Sequence, residues 1–155
     1  MKFFRALCVI VFALGVGMLA LSIARPVNVV QMPSVELNAV TGIPAPPSEL
    51  GWTEVKQDDM PYRLYICGVC DVSDDGSVDI WFYNPDDNQA LLTLNVYQGD
   101  DLLCETGFLK PGEYLESVQL SSVPADGSAI TYQIVGYEPD TYYSLGNVSL
   151  NTEVS

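Results

Sequence analysis

From about residue 51 onward, the chain runs in short segments in which apolar and polar residues alternate, and turn residues separate one segment from the next. A period of two with one apolar face indicates a half-buried β-strand. The pattern predicts seven strands, at 62–69, 77–84, 90–98, 101–106, 113–121, 128–138 and 146–154. Repeated short strands of this kind are typical of antiparallel sandwiches. We therefore expect an all-β fold, a single immunoglobulin-like antiparallel β-sandwich over residues 51–155.

The apolar faces and the turns support this prediction. One face is apolar in four of the segments, at Val78/Ile80/Phe82, Leu92/Leu94/Val96, Ile130/Tyr132/Ile134 and Val148/Leu150/Val154. The connections contain residues that favour tight turns, at Asp74-Asp75-Gly76, Gln98-Gly99-Asp100, Lys110-Pro111-Gly112 and Ala125-Asp126-Gly127. No segment after residue 25 shows a sustained helical period, so the sequence predicts no helix in the domain.

A different pattern precedes the domain. Residues 6–24 are 19 uncharged, mostly apolar residues, enough for roughly 28 Å of helix, close to the thickness of a bilayer core. Lys2 and Arg5 precede this segment, so the positive-inside rule predicts a single-pass helix in the plasma membrane, a cytoplasmic N-terminus and an extracytoplasmic C-terminal domain. Ser22-Ile23-Ala24 would also suit signal-peptidase cleavage before Arg25, which would make the protein secreted. Both alternatives remain open at this point.

Residues 26–50 contain five prolines and no sustained period. Proline lacks a backbone donor and fixes φ, so we expect an extended extracytoplasmic linker between the helix of residues 1–25 and the domain. Part of this segment, at residues 35–37, could instead lie along the domain as a first edge strand.

Charge restricts the classes of partner. The chain has twenty acidic residues, six basic residues and no histidine. All the acids lie after residue 35, so residues 26–155 have three bases against twenty acids, a net charge of −17. Such a surface repels phosphate backbones and excludes nucleic-acid binding. The lack of histidine excludes histidine-based triads, general bases and metal sites.

Two motifs suggest a resemblance. Residues 84–88 read Asn-Pro-Asp-Asp-Asn, and residues 106–112 read Thr-Gly-Phe-Leu-Lys-Pro-Gly before an alternating strand. This pattern resembles short, largely uncharacterised Firmicutes-type membrane-tethered proteins, each with an N-terminal helix, a spacer and one β-sandwich. Thr106 occupies the position of the usual serine. The resemblance implies this architecture and a cell-envelope location, but no reaction. Physically, both motifs predict turns, because proline ends a strand and Pro-Gly suits a type II turn.

The cysteines are candidates for a disulfide or thiol site. Cys67 and Cys70 form a Cys-x-x-Cys pair, and Cys104 lies in another predicted strand. In a straight strand Cys67 and Cys70 would be about 10 Å apart, too far for a disulfide unless Gly68 lets the chain turn. A structural disulfide, buried thiols and a redox role all remain open.

Residues 71–79 match the beginning of a calcium loop. The candidate ligands are Asp71, Ser73, Asp75 and Asp79, but Phe82 occupies the position of the bidentate glutamate. The sequence therefore favours an acidic hairpin turn, with calcium as an alternative; we expect no other cofactor.

Aromatic residues are the candidate binding residues. Trp81 and Tyr83 fall on the strand face opposite Val78, and Tyr137, Tyr142 and Tyr143 cluster near a late loop. Exposed aromatic rings on a sandwich can bind a peptide or a glycan. No constellation of residues favours catalysis. We therefore expect a non-enzymatic, membrane-anchored module that binds a protein or glycan of the bacterial cell envelope; a thiol/disulfide protein and a calcium-stabilised surface module are the alternatives.

Overall fold

The computed structural model describes residues 34–155, which form two antiparallel β-sheets. The nine strands are β1 Val40–Thr41, β2 Trp52–Lys56, β3 Arg63–Cys67, β4 Ser77–Asn84, β5 Leu91–Gln98, β6 Asp101–Glu105, β7 Glu113–Gln119, β8 Ala129–Tyr137 and β9 Ser144–Glu153. A single 3₁₀ turn, Ser48–Leu50, precedes β2. The all-β prediction is confirmed, and each of the seven predicted strands corresponds to one of β3 to β9.

The first sheet has the strand order β1-β7-β4-β3-β2 and the second has the order β6-β5-β8-β9. Sequence analysis did not predict β1 or β2, which are the edges of the first sheet. No residue of either strand is fully buried, so neither shows one apolar face. The predicted membrane helix lies outside the described residues. Within residues 34–155, no helix has the length and apolar character needed to span a bilayer.

The core lies between the two sheets. The predicted apolar faces point into it, and Ile80, Phe82, Leu94 and Ile134 are completely buried. Each fully buried side chain of this size stabilises the fold by about 1.5–3 kcal/mol. Leu150 is partly buried at the margin of the same core. The residues between these positions therefore face outward, and on the first sheet they include several aromatic side chains.

The Asn-Pro-Asp-Asp-Asn motif joins the two sheets. Asn84 is completely buried, and its Nδ2 donates hydrogen bonds of 2.9 Å to the carbonyls of Ala90 and Leu109. Asn88 Nδ2 donates to Asn84 Oδ1 at 2.6 Å and to the Arg63 carbonyl at 2.6 Å. A buried polar group is stabilising when its hydrogen bonds are satisfied. The motif therefore ends strand β4 and also links the two sheets through buried hydrogen bonds.

The second motif contains the predicted turn. Glu113 N donates to the Lys110 carbonyl at 3.1 Å, and Gly112 has a φ of 80°. This is the geometry of a type II turn, which needs a positive φ at its third residue. The prediction for Lys110-Pro111-Gly112 is confirmed.

The segment before β2 lies partly along the domain. Residues 34–42, here called the N-terminal strap, contact the second motif through a parallel bridge from Val35 to Phe108. Phe108 N donates to the Ser34 carbonyl at 2.7 Å, and Gly107 N donates to Glu36 Oε2 at 2.8 Å. A Cβ on Gly107 would lie 2.6 Å from the Glu36 nitrogen, so this contact requires glycine. Residues 35–37 thus lie along the domain, but through an isolated bridge at Val35 rather than as the edge strand of the alternative; the edge strand is β1, at Val40–Thr41.

Candidate functional site

Five aromatic side chains lie together on the outer face of the first sheet. They come from four neighbouring strands and are called the aromatic layer: Trp52 of β2, Tyr65 of β3, Trp81 and Tyr83 of β4, and Tyr114 of β7. The register places Tyr65 opposite Tyr83, and Tyr83 opposite Tyr114, so these three form one row across the sheet. Opposed residues of antiparallel strands point to the same face.

The rings are in mutual contact. Trp52 stacks on Tyr65 with ring centroids 4.7 Å apart, and the Tyr65 and Tyr83 centroids are 6.1 Å apart. Trp81 and Tyr114 are nearly parallel, with centroids 6.1 Å apart and planes at 13°. Trp52 Nε1 donates a 2.8 Å hydrogen bond to the Trp81 carbonyl, which ties the two groups of rings together. All but Tyr83 are half-buried, so the layer is a cohesive surface that remains accessible.

Trp81 has two unfavourable features. Its φ is 43°, in a region that bulky residues rarely adopt, and it lies at a register shift between Asp79 and Phe82. Its indole N–H is buried and finds no acceptor among the described residues. Each feature costs on the order of 1–3 kcal/mol. Such costs concentrate at binding sites, which makes Trp81 the most informative residue of the layer.

Charged side chains surround the layer. Arg63 forms ion pairs with Glu54 at 2.9 Å and with Asp87 at 2.8 Å, and its guanidinium lies 5.9 Å from the Tyr65 ring centroid. These hydrogen bonds, first to Asp87 and then to Glu54, raise the pKa of Arg63, and Arg63 lowers the pKa of Asp87. One end of the layer is therefore occupied by a paired cation.

Cys67 lies opposite Trp52 in the strand register, on the same face of the sheet as Trp52 and Tyr65, and is completely buried. Cys67, Cys70 and Cys104 are free thiols in the described part of the chain. Burial raises the pKa of Cys67 and of Cys104 to about 11, and it also raises the pKa of Cys70. Because the thiolate is the reactive form, these thiols are poorly suited to exchange chemistry at neutral pH.

The structure does not bring the four predicted calcium ligands together. Asp75 Oδ1 accepts hydrogen bonds from Ser77 N at 3.0 Å and Ser77 Oγ at 2.8 Å, which lowers its pKa. Gly76 N donates to the Ser73 carbonyl within the same tight turn. Asp71 precedes this turn, whereas Asp79 lies on β4 opposite Ser117. Across residues 34–155, no group of three acidic or cysteine side chains could hold a metal ion.

The five predicted aromatic residues divide between two places. Trp81 and Tyr83 belong to the layer, on the predicted face. Tyr137 and Tyr142 instead contact Phe108, at ring distances of 5.2 and 5.6 Å, near the β8–β9 hairpin. Tyr143 is 74% exposed beside them.

Sequence analysis missed Trp52, Tyr65 and Tyr114 of the layer. Tyr65 alternates with the core residues Leu64 and Ile66, which is a signal that it faces outward. The pairing that brings β7 beside β4 and β2 beside β3 has no such local signal.

The comparisons with known proteins found no similar protein. No protein-family model matches the chain, and no curated protein or solved structure is significantly similar to it. The site is therefore interpreted from its own geometry.

Proposed function

We propose that the protein is a non-enzymatic, membrane-anchored module that holds a partner of the bacterial cell envelope on its aromatic layer. The observation that supports this most is Trp81, whose positive φ and unpaired indole N–H lie within a cluster of accessible rings. Tryptophan and tyrosine are enriched among the few residues that dominate the binding energy of interfaces. A binding role for the layer accounts for this backbone strain, since strain concentrates at functional sites.

The anchoring is part of the same proposal. The uncharged segment 6–24 and the basic residues before it support a single-pass helix with an extracytoplasmic domain. The resemblance to tethered envelope proteins supports the same location. An immunoglobulin-like arrangement of the sandwich also belongs to this proposal, and antiparallel sheets of five and four strands support it.

The contacts at the other candidate sites do not favour the two alternatives. The raised thiol pKa values work against disulfide exchange, and the Asp75 carboxylate is engaged in its own turn. Neither the thiols nor the Asp75 turn combines accessible aromatic rings with a strained backbone, as the aromatic layer does.

The test compares two tyrosine variants in intact cells. Tyr114→Leu removes one ring of the layer, and Tyr143→Leu removes an exposed ring elsewhere on the domain as a control. We expect chemical crosslinking to give a specific partner adduct for the wild type and the control, and a greatly reduced adduct for Tyr114→Leu. Circular dichroism checks that both variants fold. Equal adduct yields in the two variants would contradict the proposal.

A further inference from the structure

The charges around the aromatic layer are unevenly distributed. Lys56 and Arg63 face each other in the strand register at the Tyr65 end of the layer. At the Trp81 end the neighbouring charged residues are Asp79 and Glu116, both exposed. The Trp81 end is therefore acidic, whereas at the Tyr65 end the two bases are balanced by Glu54 and Asp87, which form ion pairs with Arg63.

The acidic end coincides with the nearly parallel Trp81–Tyr114 pair. Glu116 lies opposite the β4 register shift that contains Trp81, because its neighbours Leu115 and Ser117 pair with Phe82 and Asp79. Burial is the main cause of the raised pKa of Cys67, and the Asp79 carboxylate also contributes to it. Aromatic faces attract cations, and nearby carboxylates add to that attraction.

The domain itself contains an example of this contact. The Arg63 guanidinium lies over the Tyr65 ring while the carboxylates of Glu54 and Asp87 hold it from the side. At the other end, Asp79 precedes Trp81 by two positions on β4, and Glu116 follows Tyr114 by two positions on β7. Within residues 34–155, no ion pair is formed by either of these carboxylates. This end of the layer thus lacks the cation that the other end has.

We propose that the partner is a basic segment of another protein, which places an arginine or lysine side chain against Trp81 and Tyr114 and between Asp79 and Glu116. The inference rests on the proposed function and adds the chemistry of the partner. The net charge of −17 on residues 26–155 favours it, because the field attracts cationic chains and repels anionic polymers. A neutral glycan would gain nothing from that field.

The experiment uses the full chain in nanodiscs of zwitterionic lipid. The probe is a short peptide of alternating arginine and threonine, and the signal is the fluorescence of Trp52 and Trp81, the chain's two tryptophans, both in the layer. The test variant combines Asp79→Asn with Glu116→Gln. The control combines Asp100→Asn with Asp101→Asn, an equal change of charge in the β5–β6 turn.

We expect the peptide to quench or shift the fluorescence and the test variant to bind it about tenfold more weakly, equivalent to about 1.4 kcal/mol. The control should change the affinity by less than about twofold, since Asp100 and Asp101 lie at a hairpin of the second sheet and salt screens exposed charges that do not contact the peptide. Equal weakening in both variants would show diffuse attraction and overturn the inference, as would the absence of peptide binding. Tighter binding of a glutamate–threonine peptide or a neutral glucan oligomer would also overturn it.

Failure of this inference differs from failure of the proposed function. If the crosslinked partner is lost in Tyr114→Leu but retained in the Asp79→Asn, Glu116→Gln variant, the layer is still the binding face and the cationic contact is refuted. If neither variant affects the partner, both proposals fail.

Discussion

Replacing Asn84 with alanine removes the side chain that joins the end of β4 to the second sheet. Asn84 is completely buried and takes part in three side-chain hydrogen bonds, two donated to the Ala90 and Leu109 carbonyls and one accepted from Asn88. At about 1 kcal/mol for each hydrogen bond, the loss comes to about 3 kcal/mol. This is a large fraction of the free energy of unfolding of a typical protein, about 5–15 kcal/mol.

The matched control is Asn95→Ala on β5, the next strand along the chain, in the second sheet. The Asn95 side chain makes one long contact, 3.4 Å to Gln133, and its Oδ1 has no partner among the described residues, so the expected cost is below about 1 kcal/mol. The measurement is equilibrium urea unfolding of the full chain in micelles, followed by tryptophan fluorescence. Equal free energies of unfolding for the two variants would refute the structural role assigned to the motif.

Three further predictions follow from local geometry. Gly107→Ala should release the N-terminal strap, and proteolysis near residue 36 should become faster. Gly68→Ala is the control: its Cβ would make only ordinary contacts, so proteolysis near residue 36 should not change. Cys67 should resist iodoacetamide in the folded protein at neutral pH and react only as pH approaches its raised pKa of about 11; rapid reaction at neutral pH would contradict its burial. Arg63 lowers the pKa of Asp87 in the folded protein. The ionised Asp87 therefore stabilises the fold above the unfolded-state pKa of about 3.9, and this stabilisation is lost as pH falls through the lower folded-state pKa. In the Asp87→Asn variant, the free energy of unfolding should depend less on pH over this acid range.

The strands that sequence analysis predicted are those with one buried face. Val78, Ile80 and Phe82 alternate with outward residues, and so do the apolar residues of β5 and β8, because the period of a strand and the position of the core impose this pattern. β2 has no fully buried residue, so its sequence does not show such a face. The strand order was not predictable, since local pattern carries no information about which strands become neighbours.

The candidate site was predictable only in part, for the same reason. Trp81 and Tyr83 were identified on one strand, but the layer depends on the pairing of that strand with β3 and β7. The positive φ of Trp81 also has no sequence signal, because tryptophan rarely adopts it. The sequence favoured an acidic hairpin turn at residues 71–79, and in the structure Asp75 caps that turn; calcium binding there stays a prediction.

Hydroxyl-radical footprinting of the full-length protein, in its native envelope and after purification, tests the binding role of the aromatic layer most directly. Oxidation of Trp52 and Trp81 reports the layer, and oxidation of the exposed Tyr143 provides an internal control. We expect both tryptophans to be oxidised less in the envelope than in the purified protein, with no change at Tyr143. Equal oxidation of the tryptophans in the two preparations would contradict a partner on this face.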